Sequence, residues 1–220
     1  MNKERPILFN GAMVRAILAG KKTQTRRAMK LQPSLDTRFR SGFRVDGCGG
    51  VADRQVSTDA PATLLGAVCP FGQPGDRLWV REAHAIFSTH GQRRTDGNRW
   101  GPWDGLPTIV SADGKQIAYY REGFDRCDPG RWRPSIHMPR WARRLVLEIT
   151  DVRVERLQAI SEADALAEGA MEWAGQQTTP IRDLKTGDER IAFAALWDST
   201  GGSWDSNPWV WAIDFKQVDA

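Results

Sequence analysis

The hydrophobic and polar positions of the chain mark short elements separated by two long irregular stretches. Residues 6–9 (PILF) are a brief apolar run that reads as a strand. Over 11–19, Met13, Val14, Ile17 and Leu18 recur at spacings of three and four, the period of a helix with one buried face. Asn10 suits its N-cap and Gly20 the position just past its end. Residues 31–70 show little periodicity and many Gly and Pro, which reads as a loop or insertion. Pro74-Gly75 then makes a turn into a strand in which Leu78 and Val80 alternate with charge.

The stretch 88–116 is polar and rich in Gly, Arg and Asp, a second insertion with a short strand expected at 117–121. Residues 143–157 give the clearest strand signal: Leu145, Leu147 and Ile149 alternate, then Val152 and Val154. The change of phase near Thr150-Asp151 predicts a turn or bulge. Ser161 opens a helix with Glu162 and Asp164 in its first turn and Gly169 near its end. A second helix is expected at 189–198, with Ile191, Ala194, Ala195 and Trp197 on its buried side. The final segment, 208–218, is apolar on much of both faces and reads as a central strand. This order suits a strand-rich α+β domain whose sheet uses both ends of the chain. We expect one domain over 1–220, with insertions at about 31–70 and 84–140.

Composition narrows the class. No segment holds the roughly 18 consecutive apolar residues of a membrane span. The first residues break at Asn10-Gly11 and lack a signal peptide's unbroken apolar region, so a cytoplasmic protein with no membrane partner is expected. The three cysteines cannot all pair, and free thiols are expected. Cys48, Cys69, Cys127 and His137 could in principle form a zinc site, but their spacing is not that of a finger. No metal and no cofactor are expected. The net charge of +4 is uneven. Residues 1–44 hold eleven basic and two acidic side chains, net +9; residues 151–220 hold six basic and thirteen acidic, net −7. The basic first segment suits phosphate binding, or pairing with the acidic end after folding.

The candidate chemistry begins at residues 21–27, KKTQTRR, directly after the first helix. If this stretch is extended, Lys21, Thr23, Thr25 and Arg27 share one face, and Lys22, Gln24 and Arg26 the other. A turn after Gly20 would instead bring Lys22 beside Thr25. Either way an ammonium, a hydroxyl and a guanidinium fall within one short stretch. That set can hold a phosphate or carboxylate. A desolvated Lys can also lose its proton and act as a base toward a hydroxyl.

These residues resemble the opening signature of ASCH domains: a helix ending in Gly, a basic residue, then Lys-Thr-x-Thr-x-Arg, here Lys22, Thr23, Thr25 and Arg27. Gly75-Asp76-Arg77-Leu78, the acidic helix Ser161–Gly169 with its late Glu168, and the last strand from Trp211 to Lys216 resemble later family elements in the same order. The closest likeness is to ASCH proteins of phages and prophages. The resemblance implies a PUA-like β-barrel with flanking short helices that binds RNA or modified nucleosides. One branch of the family hydrolyses the amide of N4-acetylcytidine. By that resemblance Thr25 is the nucleophile, Lys22 the proton acceptor and Glu168 the proton donor. Arg27 orients the substrate, with Lys21, Thr23, Arg26, Arg77 and Glu82 as further binding residues. The family's amidohydrolases are about half as long as this chain, so the insertions leave the substrate open. A binding module without turnover and a metal-dependent ribonuclease are the alternatives.

Two further features carry two readings each, and a third carries one. Arg81-Glu82 and His84 lie near the expected barrel mouth or form an exposed ion pair. Trp79, Trp209 and Trp211 read as core. Trp100, Trp103, Trp132 and Trp141 lie among Arg93, Arg94, Arg131, Arg133 and Arg140, and either stack on bases or pack the insertion.

Overall fold

The computed structural model describes residues 3–30, 32, 69–91, 101–126, 130 and 132–219, and the backbone alone of five short strands at 34–35, 42–44, 55–57, 92–93 and 99–100. In chain order the strands are β1 (Glu4–Leu8), β2 (Gln24–Ala28), β3 (Ser34–Leu35), β4 (Gly42–Arg44), β5 (Gln55–Ser57), β6 (Arg77–Arg81) and β7 (His84–Ser88). They continue with β8 (Gln92–Arg93), β9 (Arg99–Trp100), β10 (Ile109–Val110), β11 (Gln116–Tyr120), β12 (Val146–Arg156) and β13 (Trp209–Val218). The helices are α1 (Gly11–Leu18), α2 (Glu162–Ala167), α3 (Ala170–Ala174) and α4 (Glu189–Ser199).

The main sheet has the order β1-β6-β12-β13-β2. β1 runs parallel to β6, and the other neighbours are antiparallel. β13 is central, hydrogen-bonded on both sides, and its residues from Trp209 to Ile213 are all buried. Both ends of the chain therefore build the sheet. The expected phase change in β12 is a bulge inside one continuous strand: the register shifts between Ile149 and Asp151, and Val152 and Val154 regain the buried face.

The architecture is mixed α+β, but no closed barrel forms among the described strands. The sheet is open, and its edges β1 and β2 are not paired with each other. The chain leaves β1 at Leu8 and enters α1 within two residues, with the Asn10 side chain accepting from Met13 N at 2.9 Å. A side chain bridges the gap between the edges instead: Arg27 Nη2 of β2 donates to the Leu8 carbonyl at 2.6 Å.

The main core joins Val14 and Ile17 of α1, Leu78 and Val80 of β6, Leu147, Ile149 and Val152 of β12, and Trp211 and Ile213 of β13. The expected face of the second helix is corrected, except that Trp197 does pack, half-buried, against the core. In α4, Glu189, Ala192, Phe193 and Leu196 are buried, while Ile191 is 57% exposed. The spacing 189, 192, 193, 196 is the helical one, and it places the largest apolar side chains inward.

Part of the second insertion is a small unit of its own. β11 pairs with β10 on one side and β7 on the other in a three-stranded antiparallel sheet. Ala85, Phe87, Ile117 and Tyr119 are buried there, with Trp103, Leu106, Phe124 and Trp132 packed against them. Their rings meet edge to face, as at 5.3 Å between Trp103 and Phe124 and 5.2 Å between Phe124 and Trp132. Trp141 packs against a neighbouring cluster around Tyr120 and Met138. Trp103, Trp132 and Trp141 thus pack the insertion. The side chains of Trp100, Arg93, Arg94 and Arg131 lie outside the described residues.

Candidate functional site

The end of α1 sets the geometry. Gly20 has φ +69, a left-handed conformation that glycine adopts without strain. Lys21 N and Lys22 N both donate back to the Ala16 carbonyl, at 2.8 and 3.1 Å. This tight turn sends the Lys22 side chain inward. Thr23 is then pinned by its backbone: its N–H donates to Ala167 O at 2.9 Å, and its carbonyl accepts from Phe215 N at 2.8 Å. β2 begins one residue later.

Lys22 is only 3% exposed. Its Nζ donates to Gln24 O, Glu168 O and Glu168 Oε2, each at 2.7 Å. All three ammonium protons therefore have acceptors. Glu168 is the C-cap of α2, and Gly169 follows with φ +74 before α3 begins. A Cβ at Gly169 would lie 3.0 Å from Ala16 Cβ and 3.4 Å from Lys22 Cβ. Glycine there lets the α2–α3 corner press against the end of α1, and that approach brings the Glu168 carboxylate to Lys22.

Arg26 holds the other side of Glu168. Its Nη1 lies 3.3 Å from Glu168 Oε1, its Nε donates to Glu155 Oε1 at 2.9 Å, and its Nη2 reaches Asp164 at 3.2 Å. Gln24 completes the network, accepting from Arg26 and donating to Asp164 Oδ1 at 3.0 Å. Arg26 is fully enclosed by these partners, so it buttresses Glu168.

These groups face a pocket of about 540 Å³ lined by Lys22, Thr25, Arg26, Arg27 and Glu168. Phe9 and Asn10 form one wall, Phe193, Leu196 and Trp197 of α4 another, and Ser135 of the second insertion reaches it as well. Leu8 at the end of β1 and residues 25–28 of β2 both line it. Thr25 is buried, and no described residue hydrogen-bonds its hydroxyl. The Lys22 Nζ and the Arg27 guanidinium lie 5.6 and 5.3 Å from the Phe9 ring centre.

Burial pulls the Lys22 pKa below its ordinary value, against the Glu168 carboxylate, which raises it. Removing two charges from water costs several kcal/mol per ion, so the pair depends on its hydrogen bonds. The 2.7 Å separation of Lys22 Nζ and Glu168 Oε2 puts the two groups within direct proton-transfer reach.

Of the residues singled out from the sequence, Lys22, Thr25, Arg26, Arg27 and Glu168 converge on the pocket. Four do not line it. Lys21 is exposed and pairs with Glu172 at 2.6 Å. The Thr23 side chain is exposed, and Arg77 sits exposed at the start of β6. Glu82 is buried elsewhere, held by Arg144 through two bonds of 2.8 Å. It is thus not half of an exposed pair with Arg81, whose guanidinium donates to the Ile136 and Met138 carbonyls. His84 is buried, its Nδ1 3.1 Å from Glu82 O. Asp76 of the Gly-Asp turn is structural, accepting from Lys3 N at 2.8 Å and Arg5 Nη1 at 2.9 Å.

The sequence reading did not single out Gln24, Gly169 or the aromatic walls Phe9 and Phe193 for the site. The helical period at 189–196 was the available signal for Phe193. Of the candidate zinc ligands, Cys48 and Cys127 lie outside the described residues, Cys69 is buried and His137 is exposed. Among the described residues no three His, Cys, Asp or Glu converge to hold a metal, and no helix is long and apolar enough to cross a membrane.

No family profile and no curated protein matches the chain. Among solved structures it is similar to an ASCH domain from Lactobacillus crispatus JV V101, at 13% identity and a TM-score of 0.36, over 99% of this chain and 81% of that one. A likeness at that level fixes neither the family nor the chemistry of this chain.

Proposed function

We propose that the protein is an ASCH-type amidohydrolase acting on an N4-acylated cytidine or a related modified nucleoside or nucleotide. The observation that carries this reading is the buried Lys22–Glu168 contact of 2.7 Å on the wall of a pocket that Thr25 also lines.

The chemistry runs from the neutral form of the pair. Thr25 Oγ1 attacks the acyl carbonyl carbon while the Lys22 amine takes the hydroxyl proton. The C–N bond breaks as the protonated Glu168 carboxyl gives its proton to the leaving exocyclic amine. This leaves an acyl ester on Thr25, with Lys22 as ammonium and Glu168 as carboxylate. Water then attacks the ester. Glu168 takes a water proton, Lys22 returns a proton to Thr25, and the carboxylic acid leaves. The pair is restored. Arg26 keeps the Glu168 carboxyl aimed at Lys22, and the Phe9 and Phe193 rings supply the flat apolar walls that suit a base.

A binding module is the second reading. It is favoured by the saturation of all three Lys22 donors, which suits a permanently charged, structural lysine.

The test is a panel of N4-acylcytidines, free and within RNA, incubated with wild type and Lys22→Ala and read by mass spectrometry. Free cytidine from the wild type alone supports the amidohydrolase. Salt-dependent binding without product supports the module. RNA shortened only with added Mg²⁺ or Mn²⁺ would move the reading to a ribonuclease.

A further inference from the structure

The three cations of the pocket are not equivalent. Lys22 ends on Glu168, and Arg26 is surrounded by Glu155, Asp164 and Glu168. Arg27 has no carboxylate within ion-pair distance among the described residues. Its Nη2 donates to the Leu8 carbonyl at 2.6 Å and its guanidinium lies over the Phe9 ring. Neither contact carries a full negative charge. The side chain is half-buried and lines the pocket.

Burial works against this charge, and the Glu168 carboxylate, already spent on Lys22 and Arg26, offsets it only in part. A cation withdrawn from water without a counter-ion is costly. A second observation has the same sign. Among the described residues, the buried polar side-chain atoms of the pocket lining that find no partner are both donors, Arg27 Nε and Trp197 Nε1. The pocket therefore offers positive charge and hydrogen-bond donors in excess.

We infer that the ligand of this pocket carries an oxyanion, a phosphate or carboxylate, held against the Arg27 guanidinium. Guanidinium N–H groups in their planar fork match either group. Combined with the proposed function, on which this step rests, the substrate is a nucleotide or a residue of RNA rather than a neutral nucleoside. The anion seat itself follows from the charges alone.

The test is calorimetric titration of the full chain with cytidine, its 5′- and 3′-monophosphates, inorganic phosphate and acetate, using wild type, Arg27→Gln and Arg27→Lys. We expect a cytidine phosphate to bind at least about tenfold more tightly than cytidine, with the advantage lost in Arg27→Gln and partly kept in Arg27→Lys. Arg27→Gln should stay folded, with a melting temperature close to that of the wild type, since the lost Leu8 contact is offset by removal of a half-buried charge. Phosphate or acetate binding that needs Arg27, without any cytidine binding, keeps the anion seat and removes the nucleoside reading; the free ion that binds distinguishes phosphate from carboxylate. Equal affinity for cytidine and its phosphates overturns the anion seat and leaves the nucleoside reading standing. So does a phosphate advantage that survives Arg27→Gln. No binding of any anion, or a lower melting temperature for Arg27→Gln with unchanged affinity, overturns the inference.

Discussion

Lys22 Nζ and Glu168 Oε2 lie 2.7 Å apart across 146 residues of sequence, and both side chains are enclosed by the fold. The contact joins the end of α1 to the corner between α2 and α3. It is therefore both a clamp between elements and the group whose proton the proposed chemistry moves.

Glu168→Leu leaves Lys22 as a buried charge with carbonyl partners alone, a loss of about 3–5 kcal/mol. Lys22→Met should cost less, because Glu168 keeps Arg26 at 3.3 Å. The double variant should lose clearly less than the sum, because no unpaired charge remains. Denaturant unfolding of the four proteins measures the coupling. Additive losses would show that the pair does not act as a unit.

Gly169 makes the approach possible. Gly169→Ala forces a side chain into φ +74, where Cβ costs about 1–2 kcal/mol. It also sets that Cβ 3.0 Å from Ala16 Cβ. We expect a loss of about 2–3 kcal/mol on unfolding. Turnover should fall more than stability requires, since the shift moves Glu168 away from Lys22. A variant of wild-type stability and activity would show that the corner has slack.

The Lys22 pKa lies below its ordinary 10.5 because burial disfavours the ammonium, with Glu168 opposing. Between the folded value and 10.5 the unfolded chain binds more protons, so stability should rise with pH across that window. The productive neutral pair carries the same proton as the ion pair, and losing it leaves no proton for the departing amine. We expect kcat/KM to fall as pH rises through an inflection below 10.5, and any residual rate of Lys22→Ala to lack that inflection.

Much of this site was legible because it is written locally. The Gly20 stop and the spacing of Lys22, Thr25 and Arg27 sit within eight residues, whereas Glu168 was singled out only by the resemblance. What could not be read was pairing over distance. Arg26 looks like its neighbour Arg27, yet it is enclosed by Glu155, Asp164 and Glu168, residues more than a hundred positions away. Glu82 finds Arg144 62 residues on. β7 was missed because His84-Ala85-Ile86-Phe87-Ser88 lacks strict alternation and is held by β11 and an aromatic cluster from distant loops. The barrel was expected from resemblance, whereas β1 and β2 are edges not paired with each other, and residues of both line the pocket.

The turn carboxylate gives a prediction away from the pocket. Burial works against the Asp76 charge, but N–H groups of Lys3, Arg5 and Gln73 together bring its pKa below the ordinary 3.8. A depressed folded value gives stability that is fully present above the unfolded pKa and lost as pH falls through the folded one. Asp76→Asn should therefore flatten the acid limb of the stability curve below about pH 4. The wild type and the variant should converge there in urea unfolding. Parallel curves would show that Asp76 is not what acid attacks.

The most direct measurement is mass spectrometry of N4-acetylcytidine and its 5′-monophosphate after incubation with wild type and with Thr25→Val. The account predicts cytidine or cytidine monophosphate, together with acetate, from the wild type. From Thr25→Val it predicts intact substrate that is still bound. Intact substrate with the wild-type protein, or equal release by both proteins, would contradict it.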